Sequence, residues 1–478
     1  MPARRPNVLM ILTDDHAAHA LSCYGSRINT TPHLDRIAAG GMRFDNCFCT
    51  NSICAPSRAS ILTGTYPHVH GVTTLCPPFD NRLETFPKVL QRHGYRTALF
   101  GKWHLGEGPE HRPTGFDDWA VLPGQGRYFN PIFLEPGADG EETRGVKRGY
   151  VTDVITDLAL DWLRGRDAQQ PFCLLVHHKA PHRPWLPDER HAHLYLDETV
   201  PEPETLLDDY RNRGAAAAAA HMRVGVHMTM RDLKCEVPVE FPEDELRRFA
   251  YQRYIKDYLR VVASVDDNVG RLLDYLDEAG LAEDTVVVYS SDQGFFLGDH
   301  GWYDKRFMYE ESLRMPFLVR YPREVAAGTV NGDIVTNVDF APLFLDLAGI
   351  PAPAGMQGRS FRPLLRGETP ADWPQAMYYR YWAHNTPSHH VHAHYGIRTR
   401  AFKLIYYYGV GSDLPDANGE PTPPEWELFD LRTDPRELNN VYHDPAYAAV
   451  VRELTAALER LQREVGDTPV GPSTGAGT

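Results

Sequence analysis

Short apolar runs alternate with polar clusters along the first two thirds of the chain. The runs are Asn7 to Thr13, Thr97 to Phe100, Pro171 to Val176, Thr285 to Tyr289 and Pro316 to Tyr321. Near-continuous apolarity over so few residues predicts strands buried on both faces, as in a parallel sheet. From Arg247 to Ala279 the period changes. Tyr258, Val262, Val265, Val269, Leu272 and Leu276 recur at three- and four-residue steps, and Gly280 ends the pattern. This predicts a long core-facing helix. Val338 to Ala348 predicts another. Residues 205–245 show no period and contain the low-complexity run Ala215 to Ala220, which reads as an insertion or lid. Arg362 to Trp373, rich in Pro, Arg and Gly, reads as a boundary. Beyond it, Met377 to Trp382, Tyr395 to Thr399, Lys403 to Tyr408 and Glu427 to Leu431 predict short strands. Ala446 to Val465 predicts a closing amphipathic helix, and Thr468 to Thr478 a tail.

Polar groups gather where the strands end. Asn7 to Thr13 delivers Asp14-Asp15, and Thr285 to Tyr289 delivers Ser290-Ser291-Asp292-Gln293. Ligands in open α/β sheets bind at the carboxyl ends of strands, so a paired carboxylate there points to a metal. After Thr97 to Phe100 comes Gly101-Lys102-Trp103-His104-Leu105-Gly106. In extended chain, positions two apart face the same way, so Lys102 and His104 can share a pocket. His177-His178-Lys179-Ala180-Pro181-His182-Arg183-Pro184 follows the third run. Apart from all of these stands Cys54-Ala55-Pro56-Ser57-Arg58. Arg58 puts a permanent cation near the thiol. Ala59 to Leu62 reads as a helix start, whose free amides favour anions. A nucleophile beside an anion hole results.

Cys-x-Pro-Ser-Arg and its continuation to Gly64 resemble the signature of type I sulfatases, within the alkaline phosphatase superfamily. The resemblance implies that a modifying enzyme, the formylglycine-generating enzyme, oxidises Cys54 to formylglycine. It implies metal binding by Asp14, Asp15, Asp292 and Gln293 with the modified Cys54. Gln293 departs from the Asn or His usual at its position, though its amide oxygen still suits a hard cation. An all-oxygen set fits Ca²⁺, with Mg²⁺ as the alternative. The Gly-Lys-Trp-His-Leu-Gly run implies Lys102 and His104 at the sulfate, Ala-Pro-His-x-Pro selects His182, and Lys305 matches a second lysine. By the same resemblance His104 is the base that releases sulfate, and His182 with Lys305 the acid for the leaving alcohol. The implied fold is α/β: a large mixed, mostly parallel sheet flanked by helices, then a smaller α+β subdomain of antiparallel sheet and helix. We expect these as residues 1–368 and 369–478. Asp-Gln-Gly through Glu-Glu-Ser most resembles sulfatases acting on 6-sulfated N-acetylglucosamine.

Composition narrows the partners. The 478 residues carry a formal net charge of −15, which disfavours nucleic acid, an anionic membrane or a long polyanion. A single terminal sulfate on a sugar fits better, hence exo-action. The seven cysteines include no Cys-x-x-Cys pair, so they read as reduced thiols. Val8 to Leu12 is too short for a signal core or a membrane span, and the chain reads as cytoplasmic. The histidine-rich stretch 384–394 lacks a zinc motif. From it and its flanks, Arg380, His394 and Arg398 are expected to read the sugar. Two other functions compete: a phosphonate monoester or phosphodiester hydrolase of the same superfamily, and a non-catalytic anion- or glycan-binding relative.

Overall fold

The computed structural model describes residues 5–138, 141–237 and 240–470. Its centre is a ten-stranded sheet. From edge to edge the strands are Thr329–Asn331, Met42–Phe44, Phe317–Arg320, Thr285–Ser291, Asn7–Thr13, Phe172–His177, Arg96–Lys102, Asp118–Leu122, Ile132–Pro136 and Glu142–Val146. The five from Thr285–Ser291 to Asp118–Leu122 run parallel, and antiparallel strands flank them on both sides. The sheet is thus mixed with a parallel centre. All seven residues of Asn7–Thr13 are buried. Val8, Met10 and Leu12 point into one core and Leu9 and Ile11 into the other, as a period of two requires.

Helices cover both faces. The long helix spans Glu243–Glu278, four residues earlier than its apolar pattern begins. Glu243, Asp244 and Glu245 fill its first turn, where carboxylates suit the helix dipole. It packs against Val151–Gly165 and Pro32–Ala39. The insertion at 205–245 is mostly turns, with short helices Ala215–Ala219 and Met230–Leu233. No helix among the described residues is long and apolar enough to cross a membrane. Most of the expected tail, residues 471–478, lies outside the described residues.

A second sheet, Ala376–Tyr381, His394–Thr399, Phe402–Tyr407 and Glu425–Asp430, is wholly antiparallel. Its two faces have different duties. Tyr378, Tyr395 and Tyr406 pack beneath the helix Ala448–Val465. Tyr379, Tyr381 and Tyr407 join the core that underlies the large sheet. The Tyr379 hydroxyl accepts from the Ser52 amide (3.1 Å) and donates to the Arg306 carbonyl (2.7 Å).

A buried ion network also docks this sheet. Arg398 donates Nε and Nη2 to the two Glu310 carboxylate oxygens, each at 3.1 Å. Lys403 Nζ lies 3.0 Å from Glu310 and 2.5 Å from Glu437. Burial works against the charged Glu310, yet Arg398 and Lys403 hold its pKa below the usual carboxylate range. Breaking a buried pair strands a charge. Arg398→Ala should therefore lower the unfolding free energy by about 3 kcal/mol, read from urea denaturation. A midpoint unchanged from wild type would refute the docking role.

Candidate active site

Register creates the site. Thr13 stands opposite Ser291 on adjacent parallel strands, so the next residues, Asp14-Asp15 and Asp292-Gln293, emerge side by side. The Asp292 amide donates to the Thr13 carbonyl (3.1 Å), and the Asp15 amide to Asp292 Oδ1 (3.3 Å). Asp15 sits at φ 69°, a left-handed conformation that Asp tolerates better than most residues. All four side chains are buried.

The signature helix spans Cys54–Thr63. It begins at the cysteine itself, five residues before the expected start at Ala59. Pro56 is accommodated because the first turn of a helix has amides without partners. Cys54 is 2% exposed. Burial raises its thiol pKa, with Lys102 and Lys305 pulling the other way. One turn on, Arg58 Nε donates to Asp292 Oδ2 (2.9 Å) and Nη1 to the Lys102 carbonyl (2.9 Å). Lys102 closes its strand with Nζ bonded to Asp14 and, at 2.5 Å, to Gln125 Oε1. Gly101 lets that strand pass, since a Cβ there would lie 1.9 Å from the His177 carbonyl. Lys305 Nζ donates to Asp15 Oδ1 (2.5 Å), and so does Gln293 Nε2 (2.6 Å).

Two histidines complete the cluster. His104 sits at φ 58° and its buried Nδ1 has no partner among the described residues. Burial, then Lys102, hold its pKa well below the usual range, so the ring is neutral. His182 Nδ1 donates to the Arg183 carbonyl (2.8 Å), leaving Nε2 3.8 Å from Asp15 Oδ2. Burial depresses its pKa as well, outweighing Asp14.

Three carboxylates and three basic side chains, Arg58, Lys102 and Lys305, thus share one buried pocket. Burial pushes Asp14 up, but Lys102, with Arg58 and Lys305, holds it well below the usual range. Burial raises Asp15 to about 6 and Asp292 to about 7. Asp14 Oδ1, Asp15 Oδ2 and Gln293 Oε1 are buried acceptors without donors among the described residues. Asp14, Asp15 and His182 offer ligand atoms within 4.8 Å of one another. Orphaned buried oxygens carry a desolvation cost that a cation removes, so the pocket fits a metal ion.

The model of the Sulfatase family matches residues 6–350. This chain belongs to that family. A second model, N-sulphoglucosamine sulphohydrolase, C-terminal, matches residues 298–464 of the sulfatase. An N-acetylglucosamine-6-O-sulfatase of Bacteroides thetaiotaomicron is 43% identical over 97% of this chain and 87% of its own. A protein solved with its substrate D-glucosamine-2-N,6-O-disulfate is 42% identical, with TM-score 0.87 over 97% of this chain and 98% of that one. A phosphonate monoester hydrolase of Agrobacterium radiobacter shares the fold, at TM-score 0.74 and 22% identity over 96% of both chains. The sulfatase is a sulfuric ester hydrolase, and sulfate ester hydrolysis is its reaction class.

The structure brings Asp14, Asp15, Cys54, Arg58, Lys102, His104, His182, Asp292, Gln293 and Lys305 into one cluster. It does not bring the three expected sugar readers there. Arg380 lies on the far face of the second sheet, donating to Asp467 Oδ1 (2.7 Å) and packing on Trp382. His394 is fully buried among Phe307, Tyr379, Tyr381 and Tyr407, accepting from the Met308 amide at 3.1 Å. Arg398 is consumed by Glu310. In their place the structure offers Asp304, Arg306 and His389. Asp304 Oδ2 lies 3.5 Å from His389 Nε2, and Oδ1 lies 3.5 Å from Arg306 Nε. Asp304 and Arg306 flank Lys305 in the chain, and Arg306 is close enough to interact electrostatically with Cys54. Both sit at positive φ, 78° and 97°, which no residue pattern announced.

A bound divalent cation should raise the melting temperature of the sulfatase. Saturation at about a hundred times the dissociation constant adds about 2.7 kcal/mol. Thermal melts in chelator and in added cation read this directly, and Gln293→Ala and Asp15→Asn should shrink the difference. Equal shifts in wild type and both variants would place the ion elsewhere.

Proposed function

We propose that the enzyme removes the 6-O-sulfate from a terminal hexosamine of a glycan, N-acetylglucosamine-6-sulfate being the model substrate. One observation carries this reading: Arg58, Lys102 and Lys305 converge beside Cys54 and the orphaned oxygens of Asp14, Asp15 and Gln293. That set suits a tetrahedral, negatively charged group such as a sulfate ester. The relatives supply the sugar, since one is named for N-acetylglucosamine-6-O-sulfate and another was solved with a glucosamine disulfate. The net charge of −15 and the burial of the pocket favour a single chain-end sulfate over an internal one.

Asp14, Asp15, Asp292 and Gln293 would hold Ca²⁺, with Mg²⁺ as the alternative, because every protein donor in that set is a hard oxygen. The ion, when bound, would offset charge on the sulfonyl oxygens. Converted to formylglycine, Cys54 would supply a hydrated aldehyde, whose hydroxyl attacks and whose collapse frees sulfate. The remaining steps belong to side chains in place. Arg58, Lys102 and Lys305 stabilise the developing charge from fixed positions. His104 is neutral with a free ring nitrogen, the form a base requires. His182 rests neutral, but an anionic ester beside it raises its pKa. The substrate thus recruits the proton that His182 passes to the leaving oxygen, with Lys305 alongside.

Asp304, Arg306 and His389 would read the sugar hydroxyls. Asp304→Ala should cut kcat/KM for N-acetylglucosamine-6-sulfate by about ten- to a hundredfold, the worth of a charged hydrogen bond. An aryl sulfate should lose far less. Equal losses on both would remove Asp304 from recognition.

The nucleophile has its own test. Cys54→Ala should abolish turnover, and Cys54→Ser should lose multiple turnover, because a serine ester has no second hydroxyl to eliminate sulfate. Peptide mass analysis of active protein should show residue 54 as aldehyde. An all-thiol peptide in fully active enzyme would sink the mechanism. A panel of sulfated sugars and phosphate diesters decides the class of substrate, and faster phosphate diester turnover would favour the phosphonate hydrolase reading. Restoration by Zn²⁺ above Ca²⁺ and Mg²⁺ after chelation would overturn the hard-cation assignment.

A further inference from the structure

Three histidines outside the catalytic cluster lie face to face. The His221 ring centroid is 3.8 Å from that of His390 and 4.5 Å from that of His227. His221 and His227 come from the insertion at 205–245, and His390 from the loop before His394–Thr399. Both segments are tied to the active site. The His221 amide donates to the His389 carbonyl (2.7 Å), and His389 contacts Asp304. The Tyr303 amide donates to the Met222 carbonyl (2.8 Å), and the Tyr303 hydroxyl to the His227 carbonyl (3.0 Å). Tyr303 is two residues from Lys305. The histidine stack therefore stands next to the residues assigned above to the sugar.

Its chemistry is unspent. His227 Nδ1 accepts from the Arg223 amide (3.0 Å), which places the ring proton on Nε2. Among the described residues that nitrogen has no partner, nor do the ring nitrogens of His221 and His390. Arg223 adds a guanidinium whose nearest carboxylate, on the exposed Glu243, is 3.8 Å away. Burial lowers His221 and His227, the latter to about 4, and the neighbouring rings and Arg223 add to it. The described residues converge metal-ligand atoms only at Asp14, Asp15 and His182, so the stack is not built to coordinate a metal. What remains is a group of free N–H donors around one cation, in a protein with excess negative charge. That suits an anion.

We propose that His221, His227, His390 and Arg223 form an outer subsite for an anionic group, a carboxylate or a second sulfate, on the saccharide unit joined to the sulfated hexosamine. The inference rests on the hexosamine reading above. It makes this enzyme selective for the neighbour of the residue it desulfates. Burial and Arg223 hold His221 and His227 down; a bound anion opposes both effects, so selectivity increases as pH falls and these rings gain protons. The charged group acting on the rings is Arg223, with Glu243 3.8 Å from it; on the adjoining loop His389 lies 3.5 Å from Asp304, and no carboxylate pairs with the three rings among the described residues.

The test uses three disaccharides in which N-acetylglucosamine-6-sulfate is joined to a uronic acid, a sulfated hexose or a neutral hexose. Wild-type kcat/KM should favour an acidic partner over the neutral one by about tenfold, one charge-assisted hydrogen bond. The uronic acid and sulfated arms tell which anion is preferred. The ratio should rise as the pH falls toward about 4, where His227 gains its proton, and as a ratio it cancels the pH profile of the catalytic groups. Arg223→Gln and the His221→Asn/His390→Asn double variant should bring it near one. The monosaccharide, which does not reach that far, should lose no more than about twofold, which also certifies folding. A wild-type ratio near one, or variants that lower all substrates equally, overturns the subsite. Failure to turn over the monosaccharide as well overturns the hexosamine reading instead. Calorimetry with the three disaccharides on the Cys54→Ala protein then reads the subsite without turnover, and equal affinities overturn it.

Discussion

Six opposite charges buried together are the constraint around which this fold is arranged. Asp14, Asp15 and Asp292 face Arg58, Lys102 and Lys305, and none of the six is more than 3% exposed. A charge left unpaired at such depth costs several kcal/mol. Each must therefore be positioned by an element that cannot drift. The three carboxylates are fixed by the register of neighbouring parallel strands, which sets Asp14-Asp15 beside Asp292-Gln293. Lys102 ends a third strand, and Arg58 lies one turn into a helix. Lys305 sits on a strained loop that the second sheet pins through Tyr379. Among the described residues the pairing leaves Arg58 Nη2 without an acceptor and Asp14 Oδ1, Asp15 Oδ2 and the neighbouring Gln293 Oε1 without donors, and those oxygens give the pocket its capacity for a further cation.

The second sheet explains why a separate folding layer is needed. Its inner face holds the backbone on both sides of the pocket, at Ser52 and at Arg306. Its outer face buries the C-terminal helix. A strand alternates faces with each residue, so Tyr379 serves the active site while Arg380, one position on, serves the helix and Asp467. The expectation for Arg380 failed on that single step. Nothing in Met377 to Trp382 says which face looks at the pocket, because both faces are buried.

Legibility followed locality. The central parallel strands and the long helix stood out because burial on all sides leaves an unbroken apolar pattern. Glu142–Val146 did not, since an edge strand of charged and small residues, largely exposed, has no such pattern. Val151–Gly165 was there to be read, with Val151, Ile155, Ala159 and Leu163 on one face. The strand-end residues were legible because carboxylates and cations rarely follow buried strands without chemical cause. Arg398 was not, because its partner Glu310 is distant in sequence. Asp304 and Arg306 were hidden for a different reason. Their positive φ values aim the side chains where an extended chain would not, and strain of that kind persists only where surrounding contacts enforce it.

The electrostatics also order the proton transfers. Burial keeps His104 and His182 neutral before substrate arrives, so neither competes with Lys102, Lys305 or Arg58 for the carboxylates. An entering sulfate ester changes that balance unequally. His182 has Nδ1 committed to the Arg183 carbonyl, which leaves Nε2 as the nitrogen that would carry a second proton in the proposed mechanism. His104 has Nδ1 buried without a partner, and Lys102 stands against its protonation. In the proposed mechanism that negative charge would favour protonation of His182, the ring with a single uncommitted nitrogen. Lys102 and Lys305 oppose protonation of both rings, so what separates the two histidines is that His182 has one ring nitrogen committed to a carbonyl while His104 has one left without a partner among the described residues.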